Sequence, residues 1–378
     1  MLYYLHYLSD GLREAGYSGD IVAALNVFQY ITFRGISAGI TAFLISLIFG
    51  NFVIRKLISL KFGQPVRTKE EVHKLYELHG EKAGTPTMGG ILLLGSVLIS
   101  TLIWARYDNP LVWLVLIVMV THGMIGFYDD WQKVAKKNSK GISSRMKFGL
   151  QCLLAAGVTV FLMYFVDPAL KTTLNALYVP FFKEPIIPAM GLFAFIFYLF
   201  IIVGTSNAVN LTDGLDGLAT GCTVAVAAAF SALAYVAGNF IAAGYLQIPF
   251  VKPAGELAVI CMSLAGAGLG FLWWNCHPAK VFMGDTGSLA IGGMLGAVAI
   301  CIKQEFLLAI VGGVFVIEAL SVIAQVASFK LTGKRIFKMA PIHHHFELSG
   351  WKESTVIVRF WIMSLIFALL GLATLKLR

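Results

Sequence analysis

Two adjacent carboxylates, Asp129 and Asp130, stand in MIGFYDDWQKVAKK (Met124–Lys137), where a long apolar run gives way to lysines. A carboxylate suits the N-terminus of a helix and opposes the negative end of its dipole. A pair at the exit of an apolar helix therefore calls for a cation. Lys133 and Lys137 supply part of that charge, and a divalent ion would supply it better. A second stretch, NAVNLTDGLDGL (Asn207–Leu218), places Asn207, Asn210, Asp213 and Asp216 at every third position. At about 100° per residue, Asn207 and Asp216 would face opposite ways on one straight helix. Gly214 and Gly217 offer a break that folds the set back toward one point. A third stretch, FMGDTGS (Phe282–Ser288), sets Asp285 among glycines just ahead of an apolar run. Free backbone N–H groups at a helix start attract phosphate, although Asp, Thr or Ser there can equally serve as a helix cap. Phe282 is either packing or a stacking surface for a base.

The stretch APIHHHFELSGW (Ala340–Trp351) carries His343, His344 and His345. Successive residues of a helix diverge too far for all three to face one metal. Hydrogen bonding to an anionic substrate is the better reading than zinc. A fifth stretch joins Lys82 to GTPTMGG, which contains Thr87. Hard oxygen donors, phosphate-friendly glycines and flanking lysines together suggest Mg²⁺ holding a pyrophosphate, since magnesium is commonly bound through one or two carboxylates plus substrate phosphates.

The elements that must position these groups are membrane helices. The chain of 378 residues is 58% hydrophobic and 13% charged, against about 25% charged in soluble domains. Runs of roughly bilayer length recur at 22–54, 87–105, 111–128, 148–166, 189–206, 218–237, 256–274, 288–302, 306–329 and 355–375. The first is overlong and reads as an interfacial stretch plus a span, and 288–302 is short. The expected fold is all-α, a polytopic membrane protein of about ten spans forming a single catalytic domain over 1–378. Asp10, Arg13, Glu14 and Asp20 interrupt the first twenty residues, so no cleavable signal is expected. Of the five cysteines, Cys152, Cys222, Cys261 and Cys301 fall in spans and Cys276 in a loop. No CxxC pair suggests a disulfide frame or a zinc site.

The net charge of +9 raises the question of nucleic acid, and its distribution answers it. Nineteen of the 29 Lys and Arg residues lie in the loops after the odd-numbered spans. The positive-inside rule puts those loops in the cytoplasm and both termini outside. The basic balance is thus one of topology, with the lipid bilayer as partner and no nucleic acid. All five polar stretches fall on the same, cytoplasmic side.

These stretches in this order resemble those of the bacterial phospho-N-acetylmuramoyl-pentapeptide-transferases (translocase I), within the polyprenyl-phosphate N-acetylhexosamine-1-phosphate transferases. The likeness runs from about Phe33 to the C-terminus. It implies a Mg²⁺-dependent transfer of phospho-MurNAc-pentapeptide from UDP-MurNAc-pentapeptide to undecaprenyl phosphate. The products are lipid I and UMP, in the first membrane step of peptidoglycan synthesis at the cytoplasmic face of the inner membrane. By the same likeness Asp285 matches the metal-associated aspartate. Asp129 and Asp130 match the essential pair, with Asp129 as base or lipid-phosphate partner, and His344 joins these three in the expected catalytic set. Lys82, Asn207, Asp213, Asp216, Asn275, Phe282, Gln325, His343 and His345 match positions lining the nucleotide-sugar cleft. Thr87, Lys133 and Asn210 complete the expected substrate-binding set. A homodimer is also implied.

Two alternatives stand beside this one. A GlcNAc-1-phosphate transferase would share the aspartate stretches, but HHHFELSGW argues against it. An ion-coupled transporter would carry its acids near the bilayer midplane between internal repeats, whereas these acids sit at span ends and no repeat is visible.

Overall fold

A computed structural model of the chain describes residues 1–17, 19–60, 84–136 and 141–377. Among these residues the architecture is helical, and β structure is confined to isolated bridge residues, as in the antiparallel bridge between Leu177 and Ile187. Short helices α1 (His6–Glu14) and α2 (Asp20–Asn26) precede the long α3 (Ile31–Ser59). Then come α4 (Gly90–Trp104), α5 (Pro110–Ala135), α6 (Ser144–Tyr164), the short α7 (Pro168–Leu174), α8 (Phe193–Thr212) and α9 (Leu218–Ala237). After the short α10 (Phe240–Leu246) follow α11 (Leu257–Asn275), α12 (Gly284–Cys301), α13 (Glu305–Val311), α14 (Gly313–Thr332), α15 (Ile342–Glu347) and α16 (Glu353–Ala373).

Nine segments among the described residues are long and apolar enough to cross a membrane. The tenth apolar run of the sequence forms α4, whose 15 residues span only about 22 Å at about 1.5 Å each. The overlong first run divides as expected: α2 ends, Tyr30 is extended, and α3 begins at Ile31.

Three boundaries differ from the sequence reading. α5 does not stop at its aspartates but continues to Ala135, so Asp129 and Asp130 lie more than a turn inside it. α12 begins at Gly284 rather than 288, which draws Asp285 into its first turn. The run 306–329 breaks at Gly312 into α13 and α14, where the ring of Phe367 packs so close to Gly313 that a Cβ there would approach it to 2.8 Å.

α12 is the axis of the molecule: 89% of its apolar window is buried, against 22% for α14. It packs mainly on α5 and α8, and its glycines let those neighbours come near. The nearest approach is at Gly126 of α5, where a Cβ would lie 2.1 Å from the carbonyl oxygen of Asp285. That contact sets the following turn of α5, with its two aspartates, directly over the start of α12. α11 packs chiefly on α3, and α9 bridges α11 and α16.

Candidate active site

Asp130 faces the first turn of α12. Its Oδ2 accepts hydrogen bonds from the Thr286 amide (3.0 Å) and hydroxyl (2.8 Å), and its Oδ1 accepts from the Asp285 amide (3.2 Å). The carboxylate that looked misplaced at the exit of its own helix is therefore well placed at the positive end of another. It follows that these N–H groups, read from sequence as free to attract phosphate, are already engaged by Asp130. Gly284 has a positive φ of 73°, and a Cβ there would press to 2.6 Å from Asp130 Oδ2.

Asp129 and Asp285 complete the cluster. Oxygens of Asp129, Asp130 and Asp285 lie within 4.8 Å of one another. Lys133, one turn after Asp129 on α5, sets its ammonium 2.6 Å from Asp129 Oδ2, 3.1 Å from Asp285 Oδ2 and 3.6 Å from Asp130 Oδ1. Lys147, in the first turn of α6, lies 2.8 Å from the same Asp285 oxygen. Asn210, near the end of α8, donates to Asp285 Oδ1 (2.8 Å) and to Ser288 Oγ (2.9 Å). Asp129 Oδ1 accepts from the Ile142 amide at 2.8 Å, which ties down the segment leading into α6.

The turn between α8 and α9 does not gather its acids to one point. Asp213 caps the end of α8, is half-buried, and lies beside the carboxylates of Asp285 and Asp130. Burial, reinforced by those negative neighbours and opposed by the Gly284 amide, pushes Asp213 up to about 8. Asp216 turns the other way. Its Oδ2 accepts from the Ala279 amide (3.0 Å) and meets His277 Nδ1 (3.1 Å), while its own amide donates to Glu353 Oε1 (3.2 Å). Asp216, His277 and Glu353 so tie the α8–α9 turn to the α11–α12 loop and to the start of α16. The break at Gly217, with φ 73°, is the one expected; its effect is to serve two neighbours rather than one.

The chain is similar to known proteins. A family model described as glycosyl transferase family 4 matches residues 112–303, which hold the three clustered aspartates. A second, described as phospho-N-acetylmuramoyl-pentapeptide-transferase signature 1, matches 82–94. A protein of Methylacidiphilum infernorum (isolate V4), described as phospho-N-acetylmuramoyl-pentapeptide-transferase, is 53% identical over 378 residues, all of both chains. The chain belongs to the phospho-N-acetylmuramoyl-pentapeptide-transferase family. It is a transferase and a polytopic membrane protein.

Several residues expected to line the transferase cleft are engaged by the protein itself. Asn275 is buried, donating to Val281 O (2.8 Å) and accepting from Thr220 Oγ1 (2.7 Å). Gln325 accepts from the Ile336 and Phe337 amides and donates to Phe337 O, holding the segment after α14. Asn207 donates to Gln151 Oε1 and Val203 O. Half-buried Phe282 pairs through its backbone with the signature segment: its amide donates to Pro86 O (2.9 Å) and its carbonyl accepts from Gly89 (2.8 Å). Thr87 is buried in that same segment, and Lys82 lies outside the described residues.

The histidines diverge, as their adjacency requires. His343 is buried against Glu318, His344 Nδ1 lies 2.7 Å from Glu347 Oε2, and His345 Nδ1 accepts from the Lys338 amide. The structure thus brings Asp129, Asp130, Lys133, Asn210, Asp213 and Asp285 together. His343 and His344 stand against Gly214, the residue after Asp213, and Gln325 and His345 stand apart in the α14–α15 segment. Sequence reasoning missed Lys147 and Glu318. A lysine opening an apolar span is a usable signal for the first. A lone acid inside an apolar run is one for the second.

Proposed function

We propose that this enzyme transfers phospho-MurNAc-pentapeptide from UDP-MurNAc-pentapeptide to undecaprenyl phosphate, releasing UMP and forming lipid I. The observation that carries the reading is the convergence of Asp129, Asp130 and Asp285 with Lys133, Lys147 and Asn210 in a member of this family. Phosphoryl transfer asks mainly for positioning and charge stabilisation. Two ammonium groups and a cluster of hard oxygens at a helix start supply both.

The cluster fits Mg²⁺. Its donors are all carboxylate oxygens, mutually within 4.8 Å, and the ion commonly takes one or two carboxylates plus substrate phosphates. Asp285 would hold it, with Asp129 the nearest second carboxylate, because the oxygens of Asp130 are engaged by α12. A bound ion would neutralise the pyrophosphate and the departing charge. Lys133 and Lys147 bring positive charge to the same oxygens, and Asn210 fixes the orientation of the Asp285 carboxylate. An oxygen of the lipid phosphate attacks the β-phosphorus of the donor, and the bond to the oxygen bridging the two phosphorus atoms breaks to release UMP. A phosphate monoester is already ionised near neutral pH, so direct attack needs no base. Asp129 then serves to orient the lipid phosphate, and His344 with its neighbours faces the sugar-peptide half of the donor.

The same reading puts the site on the cytoplasmic face of the bacterial inner membrane, with both termini outside. The concentration of Lys and Arg in the loops on that side supports it. Two copies of the chain form the assembly implied by the family.

The test is donor choice. Purified enzyme with undecaprenyl phosphate should move phospho-MurNAc-pentapeptide into the organic phase and use UDP-GlcNAc negligibly. Equal rates with both donors would overturn the substrate assignment and leave the reaction class standing.

A further inference from the structure

The histidine helix α15 rests on a carboxylate inside the helical bundle. Glu318 is the only acid of the apolar helix α14, and it is fully buried. His343, equally buried, sets Nδ1 3.1 Å from Glu318 Oε2. That approach is close enough for an ion pair but does not meet hydrogen-bond geometry, and among the described residues neither the carboxylate oxygens nor the ring nitrogens of this pair have a hydrogen-bonding partner. An acid in an apolar span is costly and is almost never fully buried without a partner. A leucine would pack the same space without that cost, so the pair asks for a role beyond filling it.

The other edge of the ring supplies one. A Cβ on Gly214 would lie 2.3 Å from His343 Nε2 and 3.4 Å from His344 Nε2, so both imidazoles direct Nε2 at the residue following Asp213. Their ring centroids are 4.2 Å apart. His344 repeats the pattern, with Nδ1 2.7 Å from Glu347 Oε2. Each ring has a carboxylate beside Nδ1, hydrogen-bonded at His344 and in close contact at His343, and a carboxylate so placed orients the ring. His343 is sealed from solvent, whereas His344 is partly exposed.

The geometry points to Glu318 as a positioning residue of the donor site: it holds His343 against Gly214 and thereby sets the pose in which His344 meets the nucleotide-sugar donor. This inference rests on the proposed reading of α15 as part of the donor-facing wall.

The test is a mutant cycle in the full-length, detergent-purified enzyme with Mg²⁺, varying UDP-MurNAc-pentapeptide at saturating undecaprenyl phosphate. Misplacing a substrate-facing group by about 1 Å costs up to roughly 100-fold. Glu318→Leu, which keeps the volume, should therefore lower kcat/KM for the donor about 10- to 100-fold and, in a second series varying undecaprenyl phosphate at saturating donor, leave KM for the lipid phosphate unchanged. Glu318→Gln, whose amide oxygen keeps a polar atom in the same place beside Nδ1, should recover most of the rate. In a His344→Ala background, Glu318→Leu should cost nothing more, because the group being positioned is already gone.

A further loss there of the same factor would overturn the inference, as would a Glu318→Gln enzyme as poor as Glu318→Leu, or a Glu318→Leu enzyme at the wild-type rate. Should Glu318→Leu not yield folded protein, the same cycle run from His343→Phe decides by the same criterion of additivity. If His344→Ala itself leaves transfer unchanged, the failure lies with the donor-wall reading and not with Glu318 alone.

Discussion

At the end of the bundle away from the clustered aspartates, buried charge comes in matched pairs. Arg34 of α3 meets Glu256, and the Arg34 guanidinium also donates to Trp104 O while Glu256 accepts from the Arg106 amide. Lys303 lies 2.5 Å from Glu305 and also donates to Tyr198 Oη (3.1 Å) and Leu174 O (3.3 Å). One acid answers one base, and all four side chains are buried. At the opposite end Asp129, Asp130, Asp213 and Asp285 crowd around two lysines, and Lys133, Lys147 and Asp285 remain partly exposed. Burying unpaired charge is expensive. A balanced, sealed pair therefore reads as structure, and an acid-rich, open cluster as a place held ready for a cation and its phosphates.

The largest effect that would sharpen this contrast is at Asp285. Asp285→Asn keeps the size of the side chain and removes the charge shared by both lysines. Turnover should fall at least about 10³-fold, the scale seen when a charge is taken from a phosphoryl-transfer site, while the solubilised protein stays folded by circular dichroism. Wild-type rates of UMP release from this variant would break the account of the site.

Lys147→Ala comes next. A hydrogen bond to a charged group is worth about 1.5–3 kcal/mol, so kcat should drop about 10- to 100-fold. A normal rate would mean that Lys147 only balances charge.

The paired end should respond in stability rather than in turnover. Lys303→Met strands Glu305 and should cost about 3–5 kcal/mol, read as a lower melting temperature in detergent. The rate per folded molecule should be unchanged, and Lys303→Met/Glu305→Met should regain most of the stability. A rate defect without a stability defect would erase the distinction between the two ends.

The smallest effect is on pH dependence. Asp213 is raised to about 8 in the folded chain from an ordinary 3.8. Its contribution to stability is present in full below the ordinary carboxylate range and is lost as pH rises through about 8. In chelator, thermal stability should decline across that window, and Asp213→Asn should flatten the decline. An unaltered slope in the variant would place the effect elsewhere.

The helices were legible in the sequence because an apolar run of bilayer length is seldom anything but a membrane helix, and each of the ten expected runs contains a helix. The position of Asp285 near a helix start was legible as well, although from its own stretch it could equally have been a helix cap. What could not be read were pairings between distant segments. Asp130 caps α12 through backbone amides 155 and 156 residues away, and Lys147 meets Asp285 across 138 residues. Nothing local records either contact. Asn275 and Gln325 carry the side chains expected of ligand contacts, but they spend them on groups whose positions only the fold determines. Glu318 was passed over because one acid does not interrupt an apolar run, and its partner lies beyond the end of α14.

The central claim is that the acid-rich end holds a divalent ion through Asp285, and direct titration with Mn²⁺ followed by electron paramagnetic resonance tests it most closely. Wild-type enzyme should bind one Mn²⁺ per chain, displaced by Mg²⁺ over the range that supports UMP release. Asp285→Asn should lose that binding while remaining folded. Unchanged binding in the variant, or full turnover by wild-type enzyme with no ion bound, would contradict the account.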